Sequence, residues 1–123
     1  MKLRIRGNSI RLRLSQGEVE RFATEGKVED SVEFAPGQRT FTYALESDGH
    51  RENVAAEYAD DRLCVYVPAR VASEWSTSEQ VGFGSPEGAV GPRVMVEKDF
   101  ACLTPRTGED ESDMFPHPQT AAC

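Results

Sequence analysis

The stretch from Ile10 to Val28 recurs in physical character at Leu63 to Val81, 53 positions further on. Ile10, Leu12 and Leu14 fall on Leu63, Val65 and Val67, so one alternating apolar triplet falls on another. Ser15 falls on Pro68, both of them residues that open helices. Ser15 does so as an N-cap completed by Glu18, and Pro68 as a first-turn proline whose missing N–H leaves no bond unmade. Phe22 falls on Trp75 and Val28 on Val81. The same displacement carries Ile5 onto Tyr58, Phe41 onto Val94 and Tyr43 onto Val96. A chain patterned in this way folds as a unit of strand, strand, helix, strand and strand, used twice.

The local signals fill in that frame. Residues 2–6 and 10–14 alternate basic and apolar side chains with the period of a half-buried strand. With Asn8 and Ser9 as the central turn residues, Arg6 faces Arg11, Ile5 faces Leu12, Arg4 faces Arg13 and Leu3 faces Leu14. A helix is expected over 16–25, with Val19, Phe22 and Ala23 on its apolar stripe and Gly26 to end it. Strands follow around Val28 to Phe34 and Phe41 to Leu45, separated by the Pro36-Gly37 turn. In the second half, strands around Val54–Tyr58 and Leu63–Val67 flank a turn at Asp60-Asp61. A helix carrying Val71, Ala72 and Trp75 and short strands at 81–83 and 94–96 complete it. The expected fold is α+β: a mostly antiparallel sheet, two short helices and an acidic C-terminal tail. One domain spans 1–123, with repeats at about 1–46 and 54–99 and the tail at 104–123.

The chain has 21 acidic and 14 basic residues, a formal charge of −7, which argues against nucleic acid as a partner because phosphate contacts need a positive surface. No run of about 20 apolar residues is available for a membrane span, and residues 1–9 contain no signal-like apolar segment. A cytoplasmic location is expected. The cysteines, Cys64, Cys102 and Cys123, are odd in number and fit reduced thiols, with Cys64 packed inside a strand.

Three groups of residues bear on chemistry. Lys2, Arg4, Arg6, Arg11 and Arg13 form one basic ladder with like charges opposite each other, an arrangement that destabilises a sheet unless something negative intervenes. It is a candidate site for an anion or for the tail, whose Glu109, Asp110, Glu111 and Asp113 supply the complementary charge. Those carboxylates lack the alternation and central glycine of a calcium loop and read as a solvated acidic run. Cys102, His117 and Cys123 are weak metal candidates, since their spacing matches no usual zinc pattern and a fourth donor is missing. No nucleophile and base are paired, and the glycines at 82, 84, 88 and 91 lack the strand-to-helix setting of a phosphate loop. The reading is a non-enzymatic interaction module without a cofactor, its partner unknown but of a kind that a protein would fit. The alternative is an anion- or phosphate-binding protein, or a metal-dependent phosphohydrolase, working through the basic ladder.

The opening MKLRIRGNSIRLRLSQGEVE, the segments EKDFACL and GEDESDMFP, and the final cysteine resemble a family of small bacterial proteins known only as a domain of unknown function. The resemblance extends over nearly the whole chain. It implies Asn at the position of His117 in many members, which weakens the metal reading, and it implies no reaction, ligand or catalytic residue.

Overall fold

The computed structural model describes residues 1–100; the acidic run, Cys102, His117 and Cys123 lie outside the described residues. In chain order the elements are β1 (Lys2–Arg6), β2 (Ser9–Leu14), α1 (Gln16–Glu25), β3 (Lys27–Ala35) and β4 (Arg39–Asp48). The second half follows with β5 (Ala55–Ala59), β6 (Arg62–Pro68), α2 (Ala69–Ser76), β7 (Gly82–Gly84) and β8 (Arg93–Lys98). The fold is α+β, and its two halves are similar in element order.

The strands form two four-stranded sheets, ordered β1-β2-β8-β7 and β3-β4-β6-β5. Each half therefore gives one hairpin to each sheet. In both sheets the outer pairings are antiparallel and the central one, β2 with β8 or β4 with β6, is parallel. The hairpins correspond residue by residue: Lys2 opposite Arg13 becomes Ala55 opposite Tyr66, and Ser31 opposite Thr42 becomes Gly84 opposite Met95. Only the parallel seam slips. Ser9 pairs with Arg93, whereas its counterpart Arg62 pairs with Thr42 rather than with Thr40.

The first hairpin turns at Gly7 and Asn8, not at Asn8 and Ser9, so Arg4 faces Arg11, Lys2 faces Arg13 and Arg6 faces Ser9. Gly7 decides this, because its φ of +53° suits a residue without a Cβ. The partner of each strand residue moves by two, an even number, so no side chain changes face. The corresponding turn in the second half is Asp60-Asp61, both left-handed at φ 52° and 58°, a conformation that Asp tolerates better than most residues.

Helix α1 begins as its sequence requires. The Ser15 hydroxyl accepts from the Glu18 N–H at 3.4 Å, the Ser15 N–H donates to the Glu18 carboxylate at 2.9 Å, and Gly26 closes the helix at φ 75°. Pro68 is the residue before α2 rather than its first-turn proline; its ψ of 138° is extended and it still pairs with Asp48 in the sheet.

The helices pack on each other, and each touches strands of both sheets. The core lies between them. Phe22 and Trp75, 2% and 0% exposed, meet edge to face at 6.1 Å between ring centres. Trp75 also meets Phe83 at 5.2 Å and donates its indole N–H to the Val81 carbonyl at 3.0 Å, so its polar atom is satisfied. Complete burial of a side chain the size of Phe22 contributes about 2–3 kcal/mol. Among the described residues no helix is long and apolar enough to cross a membrane.

Candidate interaction face

Pleating fixes which residues share a face. In the first sheet Ile10, Leu12 and Leu14 of β2 and Val94 and Val96 of β8 are buried and point toward the helices. The intervening residues must point away. On that outer face lie three rows: Lys2, Arg13, Glu97 and Gly82; Arg4, Arg11, Met95 and Gly84; and Arg6, Ser9 and Arg93. All five cations read from the sequence come together, and β8 adds Arg93. Sequence reasoning passed over Arg93 because nothing local pairs β8 with β2.

The same strand supplies carboxylates. Arg11 pairs with Glu97 at 3.1 Å and Lys2 with Asp99 at 2.7 Å. Asp99 continues the parallel seam by donating its N–H to the Leu14 carbonyl at 2.8 Å. The like-charge conflict of the hairpin is therefore relieved in part by acids of β8 and the residue after it. On the edge strand β7 only glycine fits: a Cβ at Gly84 would stand 2.7 Å from the Val94 carbonyl oxygen, and one at Gly82 2.6 Å from that of Val96 and 3.0 Å from the Glu97 Cγ. Six cations and two carboxylates on one sheet face can grip a polyanion, and arginine's planar fork suits carboxylates held in two-point contact.

The outer face of the second sheet carries the same backbone with other chemistry. At the positions of Lys2, Arg4, Arg6, Arg11 and Arg13 stand Ala55, Glu57, Ala59, Cys64 and Tyr66. Here opposite charges interlock. Arg62 reaches Glu29 at 2.7 Å and Glu46 at 3.2 Å, and Arg51 sits 4.2 Å from the Tyr66 ring centre and pairs with Glu57. Hydrogen bonds from the Cys64 thiol and from Arg62 hold Glu46 below the usual carboxylate range, and Arg62 and Lys27 do the same for Glu29. Burial, with the Glu46 contact at 2.9 Å, pushes the Cys64 thiol up to about 12. Cys64 is 3% exposed, as its place between Leu63 and Val65 implied, and it is no nucleophile at neutral pH.

One feature escaped the alternation rule. The β3–β4 hairpin runs past the helices, so Phe34 is 72% and Tyr58 63% exposed on what would otherwise be the core face. Together with Phe41, Thr40, Arg39 and Asp61 they line a shallow depression of about 420 Å³, with Arg39 and Asp61 paired at 3.2 Å on its rim. Apolar alternation identifies a face but not how far the helices cover it. The lengths of β3 and β4, nine and ten residues against eight for α2, held the signal. His50, the one other histidine, occupies the inter-half turn, its N–H bonded to Asp48 at 2.9 Å. Among the described residues no three His, Cys, Asp or Glu side chains converge as a metal site.

Fold and face together define a small α+β protein with a cationic outer sheet. The family model of a family of unknown function (DUF7009) matches residues 1–119, and the chain belongs to that family. Searches of the curated proteins and of the solved structures each gave no match.

Proposed function

We propose that this protein is a non-enzymatic interaction module whose basic face binds a carboxylate-rich stretch of a partner protein. One observation carries the reading. The hairpin β5–β6 holds the register of β1–β2 with none of the five cations, so the fold does not require them. Like charges placed opposite each other cost stability, and gathering them on one face supports binding as their use. The matching registers also support the reading of the halves as copies of one duplicated unit; a bacterial source and a cytoplasmic location are part of the same proposal, on sequence grounds alone. A short glutamate-rich peptide is the direct probe: at low salt it should bind the protein, and Arg4→Gln, Arg6→Gln and Arg11→Gln combined should weaken it at least tenfold, which is about 1.4 kcal/mol. An unchanged affinity removes the face from consideration.

The second reading, an anion-binding protein or a metal-dependent phosphohydrolase, is favoured by the same cations, with the carboxylates of Glu97 and Asp99 beside them. A thermal-shift screen with phosphate, pyrophosphate, nucleoside triphosphates, Mg²⁺ and Zn²⁺ separates the two, since a ligand of the native state raises Tm by mass action.

A further inference from the structure

Resting on that reading of the basic face, we propose that the chain's own acidic run, Glu109 to Asp113, occupies the face in cis and must be displaced before a partner binds. The described chain leaves from this face. Asp99 lies at its corner, bonded to the Leu14 carbonyl and paired with Lys2, so the chain departs beside the outermost rung. From Asp99 to Glu109 an extended chain reaches about 33–36 Å, whereas the five residues of β1 span only about 17 Å. Every rung is within reach.

Spacing and charge complete the match. Glu109, Glu111 and Asp113 recur every second residue, the interval at which Lys2, Arg4 and Arg6 recur along β1 and Arg11 and Arg13 along β2. An extended segment places alternate side chains on one side about 6.6–6.8 Å apart, so successive carboxylates meet successive cations. Each exposed ion pair contributes only about 0–1 kcal/mol, too little to hold a free peptide tightly. Tethering changes that: a short linker supplies an effective concentration of the order of millimolar, enough to fill a weak site in cis.

The test uses the full chain and a fluorescent peptide copying residues 107–119, read by anisotropy at about 20 mM salt, where screening is weak. Against it stands the full chain carrying Glu109→Gln, Asp110→Asn, Glu111→Gln and Asp113→Asn, with circular dichroism to confirm an unchanged fold. The neutralised chain should bind the peptide about tenfold more tightly than the native chain, the ratio expected when a millimolar internal competitor meets a site of about 100 μM affinity. Adding Arg4→Gln and Arg11→Gln to the neutralised chain should abolish the gain. Equal affinity of native and neutralised chains, or weaker binding by the neutralised one, overturns the internal occupant while leaving a face that binds acids. No binding by either chain overturns the reading of the face itself.

Discussion

The hairpins β1–β2 and β5–β6 share register and turn position, yet one presents Lys2, Arg4, Arg6, Arg11 and Arg13 where the other presents Ala55, Glu57, Ala59, Cys64 and Tyr66. The shared inner pattern shows what the fold demands. The unshared outer pattern shows what it leaves open: the second sheet closes its charges within itself through Arg62, and the first gathers an excess of one sign.

The strongest challenge to the likeness of the halves is at Phe22 and Trp75. Either residue changed to Ala should cost about 3–5 kcal/mol in urea unfolding, and a loss below about 1 kcal/mol at one of them would mean that the two helices are not equivalent supports. A sharper contrast lies at Gly84 and its counterpart Ser31. Gly84→Ala forces a Cβ against the Val94 carbonyl and should cost about 1–3 kcal/mol, while Ser31→Ala, on an exposed face, should stay within about 0.5 kcal/mol. Equal effects would break the comparison of the β-edges.

The smallest effect concerns charge. Glu29 and Glu46 titrate below their unfolded values because of Arg62, Cys64 and Lys27, so the stability they lend is complete above about pH 4.3 and lost as pH falls through their folded pKa values. Arg62→Gln should flatten that acid limb in a series of thermal melts and cost about 1 kcal/mol at pH 7, most of it absent at low pH. An acid limb identical to that of the native protein would show that the second sheet does not depend on its ion pairs.

Local chemistry was legible from the residues alone. Ser15, Glu18 and Gly26 set the limits of α1 because caps act within one turn, and the basic ladder kept its common face because alternation survives a slip of two residues. The turn at Gly7-Asn8 was not legible, since a turn one residue later preserves the same faces. Pairing of β2 with β8 and of β4 with β6 left no local mark. For that reason Arg93, Glu97 and Asp99 are absent from the candidate site that the sequence defines, and its compensating charge is expected from an anion or from the acidic run.

The crossing of the two halves has a consequence for synthesis. The inner strand β8 bridges β2 and β7, so the first sheet cannot close until Lys98 has been made, 84 residues after Leu14. At about 5–20 residues per second this is a wait of roughly 4–17 s on the ribosome. Throughout it Leu12 and Leu14, destined for complete burial, lack their neighbours Val96 and Lys98. During that interval the hairpin carries Lys2, Arg4, Arg6, Arg11 and Arg13 beside its unburied leucines, and a high net charge of one sign favours solubility.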